Sequence, residues 1–423
     1  MIFGKGCEIM INSGDTGFMI IASAFVLLMT PGLAFFYGGL TRRKHVLNTM
    51  MSSVFIMGLC SVMWVLFGYS LVFCGDNGGI LGTLGALGLN GVGWDTGTYS
   101  DSIPALLFAA FQMMFALITP ALITGAVAGR MRFKALFFFI LFWSIIVYYP
   151  MAHMVWGEGG WLASIGAVDF AGGNVVHISS GVSGLVAAIV LGKRTGANEI
   201  NIRPHNIPSV VLGGALLWFG WFGFNAGSAL AADGLAVHAF MTTNTSAAAA
   251  MLVWMLIDVI KSGKPTIVGA VTGGVIGLVA ITPGAGFVPI WASIIIGALV
   301  SPICYFSVSV LKKKFGYDDA LDAFGCHGIG GIWGGIATGL FGMSSINSTA
   351  RWDGLVFGDY RLFLAQVISI VVTIVVSAVG TLICLGLVKL ITPLRVDLHS
   401  EKIGLDASEH GESAYPAFNG LDG

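Results

Sequence analysis

The stretch DAFGCHGIGGIWGG, from Asp322 to Gly335, places one histidine inside a glycine-rich apolar run that has the character of a membrane helix. A second run, DFAGGNVVHISSG from Asp169 to Gly181, repeats the pattern with His177. Titratable side chains are expensive within a membrane, and those found there usually face a pathway or a binding site. The two histidines therefore point to a function inside the membrane.

The composition around these runs is that of a polytopic membrane protein. Of 423 residues, 56% are hydrophobic and 10% are charged, whereas charged residues make up about 25% of ordinary soluble domains. Glycine contributes 61 residues, roughly twice its usual share, as expected where helices pack closely in lipid. The formal net charge of −1 argues against nucleic acid as a partner, because nucleic acid is bound by basic surfaces.

Eleven apolar runs are long enough to cross a bilayer, which takes about 18–25 residues. They cover residues 17–40, 47–73, 103–128, 133–155, 173–192, 207–231, 236–260, 266–282, 287–311, 323–342 and 362–391. The sequence thus predicts an all-α polytopic membrane protein with eleven transmembrane helices. Because eleven is odd, the two termini are expected on opposite sides of the membrane.

The distribution of basic residues predicts which loops lie on the cytoplasmic side of the membrane. They cluster after the odd-numbered runs, at Arg42–Lys44, Arg130–Lys134, Lys193–Arg203, Lys261–Lys264 and Lys312–Lys314. Cytoplasmic loops carry an excess of lysine and arginine. We therefore expect a multi-pass protein of the cell membrane with its amino terminus outside and its carboxyl terminus in the cytoplasm.

A weak internal symmetry divides the membrane domain, predicted over residues 1–394, into two units. Repeat one spans about 17–192 and repeat two about 207–342, and a last helix follows at about 362–391. Five spans in each unit would make the second copy inverted, an arrangement that places the pathway near the middle of the membrane. The two histidines would then occupy equivalent positions and meet. The polar segment 395–423 is predicted to be a cytoplasmic regulatory tail without a core of its own.

Three interpretations are open for His177 and His327. The rings could hold helices together through hydrogen bonds to carbonyl groups, bind a metal, or line a pathway. A metal is disfavoured because the six cysteines form no CxxC pair and Cys326, adjacent to His327, points about 100° away on a helix. No metal or cofactor is expected. A neutral imidazole offers one donor and one acceptor and can relay a proton, which favours a shared pathway.

Aromatic residues form a second group. Phe111 and Phe115 lie four apart, as do Phe224 and Ser228, so each pair shares a helix face. Trp156 lies at the outer end of the fourth run. Rings near a membrane surface are usually an anchoring belt, but they also attract cations by roughly 0.5–2 kcal/mol. Beside a hydroxyl acceptor, they would favour a cation that donates hydrogen bonds.

Aspartates open the two histidine-bearing runs. Asp169 precedes His177 by eight residues, and Asp322 precedes His327 by five. Both are expected to cap helix N-termini. Asp169 could in addition favour the arrival of a cation or take up a proton.

At these residues the chain resembles the ammonium transporter family (Amt/Mep/Rh) along nearly its whole length. The fragments that carry the resemblance are FFYGGL at 35–40, AFQMMFALITPALITGA at 110–126, MAHMVWG at 151–157, DFAGGNVVHI at 169–178, RPHN at 203–206, GWFGFNAGSA at 220–229, DAFGCHGIGGI at 322–332 and GLDASEHGESAY at 404–415. The resemblance implies eleven spans, an external amino terminus, and a homotrimer with one pore through each subunit.

The resemblance also implies roles for the aromatic residues. Phe115, Trp156 and Ser228 are similar to the family's external ammonium recruitment site, with Phe111 nearby. Phe115 and Phe224 resemble the phenylalanine gate that occludes the pore beneath that site. Trp156 together with Ser228 indicates the Amt/Mep branch.

His177 and His327 resemble the twin histidines of the family's pore. Asp169 resembles the aspartate that supports deprotonation or the structure of the site. The tail resembles the segment that couples subunits and receives a PII-type regulatory protein, so such a partner is implied.

We therefore expect an ammonium transporter that selects ammonium outside, deprotonates it and conducts ammonia past the histidines. Whether the proton follows by a separate route through His177 and His327 is left open. Methylammonium would serve as an analogue. An ammonium sensor signalling through its tail is the alternative. An enzyme is not expected, because no serine or cysteine nucleophile accompanies the aspartate and histidine residues in a recognisable arrangement. Pairing of Cys7 with Cys74 is left open.

Overall fold

The computed structural model describes residues 11–196 and 204–415. Cys7, Arg203 and the last eight residues of the tail lie outside these ranges, so a Cys7–Cys74 disulfide is not tested. Within them the chain is helical, and β-structure is limited to three isolated bridges. Among the described residues, nine helices are long and apolar enough to cross a membrane, and two shorter helices complete the eleven that the sequence predicts.

The eleven helices follow the chain order of the predicted runs. We number them α1 (Ser13–Leu40), α2 (Arg43–Phe73), α3 (Ala105–Val127), α4 (Phe133–Ser164, with a turn at 157–160), α5 (Gly173–Leu191), α6 (Ile207–Ala229), α7 (Gly234–Ser262), α8 (Ile267–Ile281), α9 (Ile290–Phe315), α10 (Phe324–Gly328 continued by Ile329–Phe341) and α11 (Arg361–Ile391). The architecture is an all-α bundle without appended domains in the described residues.

The two histidine-bearing helices begin alike. The first turn of α5, Gly173–Ile178, is a π-helix that contains His177, and the first turn of α10, Phe324–Gly328, is a π-helix that contains His327. Wide turns of this kind are rare and are often found at functional sites.

The prediction that Asp322 caps α10 is wrong. Asp322 has a positive φ of 58°, and its carboxylate instead accepts a hydrogen bond from Lys312 (2.6 Å). The cap is Asp319, which accepts from the backbone N–H groups of Ala323 (3.0 Å) and Phe324 (2.7 Å). Asp319 precedes His327 by eight residues, the same spacing as Asp169 before His177.

The contacts between α5 and α10 are reciprocal, as two inverted units predict. The body of α5 packs against the first turn of α10, and the body of α10 packs against the first turn of α5. Glycine makes this crossing possible, because a Cβ added at Gly181 would lie 2.2 Å from the backbone nitrogen of Gly328. The histidines are thereby brought to one level of the bundle.

The first helices of the two units, α1 and α6, also pack along each other. A Cβ at Gly213 would lie 2.2 Å from the nitrogen of Phe36, and one at Gly220 would lie 2.3 Å from the Met29 side chain. Small residues allow helix backbones to approach closely in a membrane. The pathway residues lie beside this glycine-packed pair.

The described part of the tail, from Arg395 to Tyr415, folds against the ends of the transmembrane helices that carry the basic residues. Three of its acidic side chains accept hydrogen bonds from backbone N–H groups there. The pairs are Glu401 with Thr195 (2.6 Å), Asp406 with Asn48 (2.9 Å) and Glu409 with Phe133 (2.8 Å). These hydrogen bonds to the membrane domain therefore hold the described part of the tail in place.

Candidate functional site

The two histidine side chains meet inside the bundle. The ring centroids of His177 and His327 lie 5.4 Å apart with their planes 19° from parallel, and the residues are only 1% and 3% exposed. Both ring nitrogens of His177 and Nδ1 of His327 lack a hydrogen-bond partner among the described residues. The two rings therefore do not hydrogen-bond to each other, and these nitrogen atoms are available to a small polar guest.

The histidines face a narrow, largely apolar cavity of about 10 Å³. This volume is close to the smallest that holds a water-sized molecule. Its lining consists of Met29, Leu33, Phe36, Ile118, Leu122, Val176, His177, Leu217, Trp221, Phe224, Val275 and His327. Apart from the imidazoles and one indole, the wall offers no polar side chain, so a charged guest would find little to replace its hydration.

Two phenylalanine rings close one end of this cavity. The centroids of Phe115 and Phe224 are 4.3 Å apart, and Phe224 lies 6.1 Å from the His177 ring. Both residues are buried. In this conformation the two rings are in contact.

Beyond the phenylalanines lies a wider cavity of about 450 Å³ that opens to the surface. Phe115, Trp156 and Ser228 all contribute to its wall, although they come from α3, α4 and α6. The indole of Trp156 meets the Phe115 ring edge-on at 5.7 Å. The wall of the cavity thus brings the rings of Phe115 and Trp156 together with the hydroxyl group of Ser228.

Hydrogen bonds fix the polar members of this outer cavity. The Trp156 Nε1–H donates to the carbonyl oxygen of Asp169 (2.9 Å). The Ser228 hydroxyl donates to the carbonyl oxygen of Phe224 (2.9 Å), which leaves the lone pairs of its oxygen free to accept. A guest that donates hydrogen bonds can therefore be bound at Ser228.

Phe111 occupies a different position from its predicted partners. It is fully buried and lies 5.0 Å behind the Phe115 ring, and it is not among the residues that line the outer cavity. Phe111 therefore contacts the site through the Phe115 ring.

The carboxylate of Asp169 is committed to the first turn of α5. One oxygen accepts from the N–H groups of Gly172 (2.8 Å) and Gly173 (2.6 Å), and the other accepts from Asn174 (2.7 Å) and Val175 (3.3 Å). Burial raises the pKa of Asp169 above its ordinary value, although the four N–H groups oppose that shift. Asp169 thus joins the outer cavity to the helix that carries His177.

Sequence reasoning missed three residues of the site. Trp221 stacks on His177 at 5.4 Å while its Nε1–H donates to Thr282 (2.9 Å). Gln112 lines the outer cavity, and its buried Oε1 has no partner among the described residues. A lone glutamine inside the apolar AAFQMMFALITP run was a signal that could have identified it.

The third residue, His153, supports Trp156 from one turn earlier in α4. Its Nδ1 lies 2.7 Å from the carbonyl oxygen of Val72 and its Nε2 lies 3.0 Å from the carboxylate of Asp76. These two contacts tie the loop after α2 to the wall of the outer cavity.

The chain is similar to known proteins along nearly its whole length. Residues 17–415 match the sequence model of the Ammonium Transporter Family. The chain is 55% identical over 402 residues to an ammonium transporter of Bacillus subtilis, covering 95% of this chain and 98% of that protein. It is 44% identical to the ammonium transporter Amt1 of Archaeoglobus fulgidus, covering 96% and 100%.

Solved structures of similar proteins also superimpose on this chain. Saccharomyces cerevisiae Mep2 superimposes with a TM-score of 0.87 at 38% identity, covering 97% of this chain and 93% of that one. A structure described as a sensor Amt protein superimposes with a TM-score of 0.85 at 27% identity, covering 94% and 98%.

Proposed function

The chain belongs to the ammonium transporter family, and from this premise we propose that it selects ammonium at the outer cavity, deprotonates it and conducts ammonia past the two histidines. The observation that carries the proposal is the order of the sites. A wide aromatic cavity is followed by two phenylalanine rings in contact at 4.3 Å, and these are followed by unpartnered imidazoles in an apolar bore.

The outer cavity suits ammonium better than a metal ion. Phe115 and Trp156 offer aromatic rings, whose faces attract cations by about 0.5–2 kcal/mol. Ser228 offers an oxygen atom that can accept a hydrogen bond, and ammonium is a tetrahedral donor, whereas an alkali ion donates none. Methylammonium keeps three N–H groups and is therefore expected to bind as an analogue.

The narrow bore disfavours the intact cation. Transfer of an isolated ammonium-sized ion into a low-dielectric interior has an idealised cost of tens of kcal/mol, and two or three cation–π contacts offset only a few of these. Ammonia carries no charge and can hydrogen-bond with the free nitrogens of His177 and His327. We therefore assign the loss of the proton to the region between Trp156 and the histidines, with Asp169 supporting that step electrostatically or structurally.

Uptake of radiolabelled methylammonium into vesicles tests the selection step. Trp156→Leu is expected to weaken uptake at low substrate concentration at least several-fold, because it removes the indole ring from the wall of the outer cavity. Trp94→Leu changes a tryptophan that is 81% exposed and should leave uptake unchanged. Failure of the unaltered protein to take up methylammonium at all would contradict the proposed transport.

The path of the proton is a separate question. If His177 and His327 relay it, transport is electrogenic, and replacement of both by leucine should abolish the ammonium-evoked current. His399→Leu, an exposed tail position, serves as the control. An undiminished and still selective current in the double variant would refute the relay.

We further propose the organisation that accompanies this function. Residues 1–394 form the transporter domain with two inverted five-helix units and a last helix, and 395–423 form a regulatory tail. The amino terminus lies outside and the tail in the cytoplasm, in keeping with the basic residues near the tail. A homotrimer and a PII-type regulatory protein on the cytoplasmic face are the partners that the family resemblance implies.

A sensor is the second candidate, and the likeness to the sensor Amt protein together with the ordered tail favours it. A sensor would use the same outer cavity but pass its signal through the tail. Absence of methylammonium uptake while a cytoplasmic regulator still binds in an ammonium-dependent manner would support sensing and contradict transport.

A further inference from the structure

A groove on the outer surface of the bundle is unrelated to the pathway. It has a volume of about 630 Å³ and lies between the last turns of α5 and α9, with residues of α10 along one side. Leu185, Ile189, Leu311, Phe315 and Phe324 give it a mostly apolar lining. The transmembrane helices α5 and α9 end at Leu191 and Phe315, so the groove lies at the boundary between hydrocarbon and water.

The apolar residues of the groove are open to the surroundings. Ile189 is 59% exposed and Phe315 is 70% exposed. Transfer of large apolar side chains out of water is favourable, and at this depth the surrounding solvent is the hydrocarbon of the lipid tails. An apolar chain laid along the groove would cover both.

Positive charge collects at the water-facing end of the groove. Lys193 belongs to its lining, and Lys313 and Lys314 are exposed on the turn of helix that precedes Phe315. None of these three ammonium groups has a carboxylate partner among the described residues. They are available to an anion.

The carboxylates nearby are already neutralised. Asp318, also in the lining, accepts hydrogen bonds from the Arg194 guanidinium at both of its oxygens (2.9 and 2.7 Å). Asp322 accepts from Lys312 (2.6 Å). The remaining charge at this end of the groove is therefore positive.

We propose that the groove binds a phospholipid with an anionic headgroup. One acyl chain lies against Ile189 and Phe315, and the phosphate lies among Lys193, Lys313 and Lys314. Basic pockets between transmembrane helices on this side of a membrane attract anionic lipids. A soluble anion would not use the apolar lining, and a neutral lipid would not use the lysines, so the combination selects an amphiphile with negative charge.

Photo-cross-linking locates the lipid. The full-length protein is reconstituted in phosphatidylcholine vesicles that contain a trace of phosphatidylglycerol with a diazirine on its acyl chain. After illumination, we expect lipid adducts on peptides that contain residues 185–193 and 311–317. Replacing all three lysines, Lys193, Lys313 and Lys314, by glutamine should lower the adduct yield at least tenfold, since each lysine contributes about fivefold to anionic-lipid binding.

A matched triple variant controls for lost positive charge elsewhere on the same side of the protein. Lys261→Gln, Lys264→Gln and Lys389→Gln change three exposed lysines and should leave the adduct yield unchanged. Equal labelling by diazirine phosphatidylcholine would overturn the proposal, since the headgroup would then not be recognised. Absence of labelling by either lipid would overturn it as well, because protein rather than lipid would cover the groove.

Discussion

Asp169 and Asp319 are single residues on which the two halves of the pathway depend. Each is buried, and each caps a π-helical first turn eight residues before a histidine. Their surroundings differ, because Asp169 lines the outer cavity and its carbonyl oxygen accepts from Trp156. Both aspartates thus cap a helix, but only Asp169 also lines the outer cavity.

We predict that Asp169→Asn and Asp319→Asn each destabilise the protein by about 1–3 kcal/mol, because charge-assisted hydrogen bonds to backbone N–H groups are weakened. Only Asp169→Asn should also lower methylammonium uptake by at least tenfold. Thermal unfolding in detergent and vesicle uptake measure the two effects separately. Equal loss of uptake in both variants would mean that Asp169 acts through its cap alone.

Individual residues also show what could and could not be predicted from the sequence. The two histidines and the aromatic residues could be identified because polar and cation-attracting groups stand out in an apolar chain. Asp322 was mistaken for the cap because Asp319 and Asp322 are three residues apart and both precede an apolar run. Only the backbone path, with its positive φ at Asp322, decides which carboxylate meets the helix.

At the level of elements, the crossing of α5 and α10 holds the histidines together. Gly181 and Gly328 touch through backbone atoms, and the two π-helical turns bring the rings to 5.4 Å. The spacing of the rings therefore depends on the absence of a side chain at the crossing.

Gly181→Ala is predicted to separate the two helices. The added methyl group would lie 2.2 Å from the Gly328 nitrogen, and overpacking of this kind typically costs about 1–3 kcal/mol. We expect a folded protein whose methylammonium uptake per molecule falls at least tenfold, because the imidazoles no longer face one bore.

Gly386→Ala on α11 is the matched control, since a Cβ there meets nothing within 4 Å. It should retain both stability and uptake. Unchanged uptake in Gly181→Ala would show that the pathway tolerates a wider spacing of the histidines and would contradict the prediction.

For the molecule as a whole, the tail connects several transmembrane helices on one face. Glu401 is 3% exposed and binds both Thr195, after α5, and Arg395, after α11. Burial alone would raise the pKa of Glu401, but the Arg395 guanidinium and the Thr195 N–H lower it below the ordinary glutamate value. The ionised Glu401 therefore stabilises the folded tail at pH values above the ordinary glutamate pKa. This stabilisation is lost as the pH falls through the lowered pKa of Glu401 in the folded protein.

We predict that Glu401→Gln releases the tail. An uncharged amide cannot replace the ion pair with Arg395, and breaking a buried pair leaves a charge without its partner. Limited trypsin digestion should cleave after Lys402 at least ten times faster than in the unaltered protein. Glu412→Gln, at an exposed tail position, should not change the rate, and equal cleavage of both variants would contradict the role of Glu401.

By itself, the sequence determined that this chain is a helical membrane protein of the ammonium transporter family with two histidines in its interior. Hydrophobic run length and residue type are local properties, so they can be read along the chain. Tertiary structure alone decided which residues meet: Phe115, Trp156 and Ser228 come from three helices, Trp221 stacks on His177, and the tail folds onto distant loops. Such contacts depend on how helices cross, and close crossings depend on glycines whose partners lie far away in the sequence.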